Sequence, residues 1–142
     1  MNWCIVTDSS CDMVLDRELP ENIRIEEVPF IISVGDKDYV DTAELDVNEM
    51  LDDMESCSEA SRTACPSPNA WYDKFKTADC SIAITISKNL SGSFNSAQKA
   101  VAVFLEENPG KRAYVFDSLA AGPQQIMIAD KLKEGCIVLL DI

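Results

Sequence analysis

Ile82-Ala83-Ile84-Thr85-Ile86-Ser87-Lys88-Asn89-Leu90-Ser91-Gly92-Ser93-Phe94-Asn95-Ser96-Ala97, residues 82–97 of a 142-residue chain, passes from one kind of order to another. Its first five residues are short, apolar and rich in β-branched side chains, the pattern of a strand covered on both faces. The middle is small and polar. From Phe94 onward the apolar residues Phe94, Ala97, Val101, Phe104 and Leu105 fall on one helical stripe, which stops at Asn108-Pro109-Gly110. A buried strand running through a Ser/Gly loop into an amphipathic helix is the repeating unit of an α/β sheet.

The rest of the chain extends this unit in both directions. A first strand is expected at Cys4-Ile5-Val6, closing on Thr7-Asp8-Ser9-Ser10. Residues 13–19 read as a short helix, with Ser10 or Asp12 as its cap and Pro20 after its end. Ile23 and Ile25 alternate with polar residues, and residues 28–34 continue as an apolar run broken by Pro29. Gly35-Asp36 reads as the tip of a hairpin whose return strand carries Tyr39 and Val40. Asp46 is placed to cap a helix bearing Val47, Met50, Leu51 and Met54 at i, i+3, i+4 and i+7. Residues 56–67 read as a polar linker. Ser67 then caps the next helix, with Pro68 at its first position and Trp71 and Phe75 buried. Beyond residue 110, Tyr114-Val115-Phe116 is the next strand, ending at Asp117-Ser118. Ala120-Ala121-Gly122-Pro123 leads into a helix reaching about Lys133, and residues 136–140 read as one more strand.

The expected fold class is therefore α/β, an open, mostly parallel sheet with flanking helices, in a single domain over residues 1–142. In such sheets ligands sit beyond the carboxyl ends of the strands. Three strand ends carry small polar residues here: 7–10, 87–93 and Asp117-Ser118.

Composition narrows the chemistry. Acidic residues outnumber basic ones 25 to 12, for a formal charge of −13, which opposes association with nucleic acid or an anionic membrane surface. An anionic ligand must be held by local donors instead. No stretch approaches the ~20 continuous apolar residues of a spanning helix, so no membrane insertion is expected. Met1 runs almost directly into a strand, without a basic region or cleavage signal, and a cytoplasmic protein is the expectation. There is no histidine, which removes Ser-His-Asp and Cys-His nucleophile arrangements and imidazole acid–base work together. Six cysteines without a C-x-x-C pair read as buried or partly buried free thiols. No cofactor is implied.

The loop before Phe94 invites a ligand. A helix opening near Ser93 leaves backbone N–H groups unpaired, with the positive end of the helix dipole beside them. Gly92 lets the backbone approach an anion closely, and Ser91 and Ser93 add hydroxyls. Such a loop can hold a carboxylate or phosphate without a cationic side chain. The ordinary alternative is that Ser91 or Ser93 simply caps the helix. Thr63 has no capping duty, and Asp8, Ser9, Ser10 and Asp12 read equally well as one solvated turn and cap.

Taken together, six short motifs carry a resemblance. Val6-Thr7-Asp8-Ser9-Ser10-Cys11-Asp12, Val28-Pro29-Phe30 and Tyr39-Val40-Asp41 resemble the opening of DegV family proteins in order and spacing. So do Arg62-Thr63-Ala64-Cys65-Pro66-Ser67-Pro68, Leu90-Ser91-Gly92-Ser93-Phe94-Asn95-Ser96-Ala97 and Phe116-Asp117-Ser118. The resemblance implies a bacterial fatty-acid-binding protein whose bound long-chain fatty acid is phosphorylated by a separate fatty acid kinase catalytic subunit. It implies that Thr63 and Ser91 hold the acyl carboxylate, with Gly92 and Ser93 as supporting donors from the same loop. Family members are about twice this length, so the chain is expected to correspond to the first of two α/β domains and to be prone to self-association. Residues 136–142 do not resemble the family, in which a further helical stretch is expected.

The first reading is thus a lipid carrier without catalytic groups of its own. Burying each methylene contributes about 0.8 kcal/mol, against about 1.5–3 kcal/mol for a hydrogen bond to a charged head group. The tail would set most of the affinity and the loops the orientation. The runner-up is a transferase that binds phosphate in the same loop, or a metal through Asp8, Asp12 and Asp117. A purely structural or partner-binding domain is the third reading.

Overall fold

Alternation in the first strand explains why this sheet is covered on both sides. In the computed structural model, which describes residues 1–12 and 19–138, β1 spans Trp3–Asp8. Cys4 and Val6 point into one apolar cluster, and Ile5 between them points into another. After a single 3₁₀ turn at Ser9–Cys11 come β2 (Ile23–Val28), β3 (Ile31–Val34), β4 (Lys37–Val40), α1 (Val47–Ser56) and β5 (Arg62–Ala64). Then follow α2 (Pro68–Phe75), β6 (Cys80–Thr85), α3 (Ser93–Glu107), β7 (Arg112–Asp117) and α4 (Pro123–Val138).

Four strands form a wholly parallel sheet in the order β2-β1-β6-β7. The chain moves outward from β1 to β2, then returns to place β6 on the other side of β1. That reversal, at the carboxyl ends of β1 and β6, is the topological switch point, where ligands sit in such sheets. One face of the sheet is covered by α2 and α3, whose Trp71, Phe75, Ala97, Ala100 and Phe104 pack on Cys4, Val6 and Ala83. Phe75 and Phe104 meet edge to face at 5.9 Å. The other face carries α4, with Ala129 buried against Ile5 and Ile84.

A second, three-stranded antiparallel sheet, β4-β3-β5, stands apart from the first. Its hairpin turns at Gly35, whose φ of +56° suits a glycine, as the sequence leads one to expect. Asp46 and Ser67 cap α1 and α2 by accepting the N–H groups of Glu49 and Ala70.

Several expectations need correction. Residues 62–64, read as linker, form β5, because pairing with Ser33, Ile32 and Ile31 orders a segment that has no periodicity of its own. The expected strand at 136–140 is helix as far as Val138. Cys136 lies seven residues after Ala129 and four after Leu132, so it continues the buried stripe of α4. Residues 139–140, like 13–18 of the expected helix over 13–19, lie outside the described residues. On α1 only Met50 is buried, and on α3 Leu105 faces outward while Ala100 takes its place in the core.

Candidate functional site

The switch point is organised by one carboxylate. Asp8, at the end of β1, is fully buried, and a buried carboxylate needs donors. Its Oδ2 accepts the Ser93 hydroxyl at 2.6 Å and the Ile86 N–H at 2.9 Å. Its Oδ1 accepts the Ser10 hydroxyl at 2.6 Å and Gln125 Nε2–H at 3.1 Å. These donors come from the turn after β1, the end of β6 and the first turns of α3 and α4.

The turn after β1 is anchored too. Phe30 N–H donates to Ser9 Oγ at 3.0 Å, and the Ser9 hydroxyl donates to Asp41 Oδ2 at 2.7 Å. Asp8 and Ser9 are buried, so the solvated turn expected from sequence becomes a structural knot. Beside it, burial together with the charges of Asp41, Asp12 and Asp8 raises the Glu27 carboxyl above its ordinary range.

All three polar strand ends meet here. Ser87 N–H donates to the Ala120 carbonyl at 2.9 Å and Lys88 N–H to Asp117 Oδ1 at 3.2 Å, which fastens the loop after β6 to the loop after β7. Gly92 is the N-cap residue of α3. Ser93 N–H donates to Ser91 Oγ at 3.2 Å, so Ser91 does satisfy one helix-end donor. Ser93 has its hydroxyl on Asp8 and its N–H on Ser91, and its place is to hold the loop. Among the described residues, the N–H groups of Gly92, Phe94 and Asn95 and the hydroxyl hydrogen of Ser91 have no acceptor. Those are the donors left for an anion at the start of the 15-residue helix.

Thr63 belongs to the other sheet, exposed in β5 opposite Ile32. The chain after it lies along the first turn of α3. Cys65 Sγ is 3.4 Å from the position a Cβ on Gly92 would take, and the Ser96 hydroxyl donates to the Pro66 carbonyl at 2.5 Å. Cys65 and Pro66, not Thr63, make these contacts with the start of α3. The Thr63 hydroxyl has no partner among the described residues. Of the nearby cations, Arg62 is exposed, and Lys88 sits 3.7 Å from Asp117 and over the Phe94 ring at 5.7 Å.

Gln125 escaped sequence reading, although it had a signal. It stands three residues after Gly122, and its Oε1 accepts the Gly122 N–H at 3.2 Å, the back-reaching half of a capping box. Among the described residues no three acidic or cysteine side chains group as a metal site. None of the described helices is long and apolar enough to cross a membrane. The six cysteines are free, and burial pushes the thiols of Cys4, Cys11 and Cys80 up to about 11.

Comparison with known proteins gives a consistent result. A family model described as an uncharacterised protein of the DegV family matches residues 2–136. A DegV domain-containing protein of Streptococcus gordonii is 41% identical over 134 residues, covering 94% of this chain and 48% of that protein. The chain thus spans about half the length of the curated relatives it matches. The crystal structure of the Streptococcus pneumoniae Fatty Acid Kinase (Fak) B3 protein loaded with linoleic acid superposes with a TM-score of 0.87 at 37% identity, covering 95% of this chain and 50% of that one. A DegV family protein from Eubacterium eligens loaded with heptadecanoic acid gives 0.84 at 37% identity, covering 93% and 46%.

Proposed function

This chain belongs to the DegV family, and from that premise we propose that it supplies the head-group half of a fatty-acid-binding site. In this reading residues 1–142 are one α/β domain, corresponding to the N-terminal half of a two-domain carrier. The acyl carboxylate lies at the start of α3, held by the Thr63 and Ser91 hydroxyls and the N–H groups around Gly92. Ser93 supports that loop from behind through Asp8. The observation that carries the reading is the set of donors without acceptors at the switch point, formed by residues that also match the family motifs.

The chain is a carrier and not a catalyst in this account. It has no histidine to move protons, and the buried Asp8 and Ser93 are committed to holding the loop. Phosphorylation of the presented carboxylate falls to a separate fatty acid kinase catalytic subunit, as the similarity to the Fak B3 protein suggests. A cytoplasmic location is part of the same proposal. Tyr114 and Phe116 stand 57% and 48% exposed on β7, an edge strand of the parallel sheet. Self-association of the 142-residue chain would run through that face, and Tyr114→Lys should return a light-scattering mass closer to the monomer.

Titration with a labelled long-chain fatty acid tests the reading. Thr63→Ala with Ser91→Ala should weaken binding by at least about tenfold, the worth of one or two hydrogen bonds to a charged group, with the fold intact. Unchanged affinity would remove both residues from the site.

A further inference from the structure

We propose that Asp8 is a positioning residue for the head-group loop, held in register by Gln125; the proposal rests on the carrier reading above. Asp8 has no face open to a ligand, since it is fully buried and its bonds run to internal donors. It nevertheless sits one residue behind the ligand donors. Its Oδ2 grips both ends of the loop at once, the Ile86 N–H where the loop leaves β6 and the Ser93 hydroxyl where it enters α3. Ser93 N–H in turn reaches Ser91 Oγ at 3.2 Å. With that oxygen accepting from Ser93, the Ser91 hydrogen has no acceptor among the described residues and is free to donate to a ligand.

The second oxygen fixes the rotation of the carboxylate. Oδ1 takes Ser10 and Gln125 Nε2, while Gln125 Oε1 takes the Gly122 N–H at 3.2 Å and lies 3.1 Å from Ser10 Oγ. The Gln125 amide has one orientation that pairs both its ends, because Gly122 offers a donor and Asp8 an acceptor. The first turn of α4 is thereby tied to the loop that orients Ser91.

Charge separates positioning from mere space-filling. A negative Asp8 behind the loop repels an anionic ligand, so on electrostatics alone Asp8→Asn would sharpen the preference for a carboxylate. A positioning role requires the reverse. In Asp8→Asn the new amide faces either Gln125 Nε2 or the Ser93 and Ile86 donors, and one set of bonds is lost whichever way it turns. The double variant Asp8→Asn/Gln125→Glu restores a donor opposite every acceptor. The side-chain carbonyl at position 8 keeps Ser93 and Ile86, and its amide meets the carboxylate at 125, which still accepts from Gly122.

The measurement is the ratio of affinities for oleate and oleyl alcohol, ligands with the same tail and different head groups, in the 142-residue chain. A loss of stability alone would weaken both ligands together and leave the ratio unmoved. Asp8→Asn should lower the preference for oleate by about tenfold, and the double variant should recover most of it. A ratio unchanged or increased in Asp8→Asn, or a double variant no better than the single one, overturns the proposal. If Asp8→Asn does not fold, Gln125→Met keeps the charge and removes one donor. It should lower the ratio several-fold, and no change there overturns the proposal equally. A chain that shows no preference for oleate before any substitution sinks the carrier reading and this inference together. A preference that survives Asp8→Asn sinks only the inference.

Discussion

The parallel sheet and the three-stranded sheet are held by different forces. The first is sandwiched between helices, with Ile5, Val6, Ile84, Trp71, Phe75 and Phe104 fully buried. The second leans on α1 through a small contact in which Val34 and Met50 are the buried residues. Ile31, Val40 and Ala64 lie side by side across its three strands and are all exposed, as are Val47 and Leu51 on α1. In place of a core it has surface polar links, Lys37 to Asp53 at 2.6 Å and to Glu49 at 3.3 Å, and Tyr39 to Asp53. Exposed ion pairs contribute about 0–1 kcal/mol each, far less than a packed aromatic side chain. The proposed head-group site would take Ser91 from the first region and Thr63 from the second, one backed by the aromatic core and the other by a sheet with exposed links.

Substitutions in the two regions should therefore differ in kind. Phe104→Ala, in the aromatic cluster of the parallel sheet, should cost about 3–5 kcal/mol and lower the denaturation midpoint of the whole domain. A loss below about 1 kcal/mol would mean that the cluster is not the centre of stability. Met50→Ala should cost about 2 kcal/mol, at the low end for a buried methionine. Its signature should be regional: hydrogen exchange speeds up in β3, β4 and β5 while β1 and β6 keep their protection. Equal loss in both sheets would show that they unfold as one unit and would erase the contrast drawn here.

The smallest effect concerns Glu27, near the seam. Its carboxyl is raised above the ordinary range chiefly by burial and then by Asp41, Asp12 and Asp8. The folded state thus holds this proton more tightly than the unfolded chain, and stability falls as pH rises from the ordinary carboxylate value through the raised one. Glu27→Gln should stabilise the protein at neutral pH, by less than about 1 kcal/mol for a half-buried group, and flatten that part of the stability profile. A Glu27→Gln variant less stable at pH 7 than at pH 5, relative to the unsubstituted chain, would contradict the assignment.

The same contrast governs what the sequence could disclose. β6 and α3 were legible because their burial is written as an apolar run followed by a 3.6-residue stripe. β5 was not, since Arg62, Thr63 and Ala64 are all exposed and are ordered by their neighbours alone. Cys136 misled for a related reason. A short apolar run does not distinguish helix from strand, and only its spacing from Ala129 and Leu132 does. At the site, the Ser/Gly loop announced itself by composition. The separate duties of Ser91 and Ser93 depend on Asp8, which lies 85 residues before Ser93 in the chain. No local pattern carries that bond. A buried polar residue reads as a solvated turn until its partners are in place.

The central claim is that an acyl carboxylate docks at the start of α3. Amide chemical-shift mapping during titration of the labelled 142-residue chain with oleate addresses it most directly, because it reads the proposed donors themselves and tolerates weak binding. The account predicts saturable downfield shifts of the Gly92, Phe94 and Asn95 amides, absent with oleyl alcohol, and little change in β4. Shifts of equal size with both ligands, or saturable shifts elsewhere with these three amides unmoved, would contradict it.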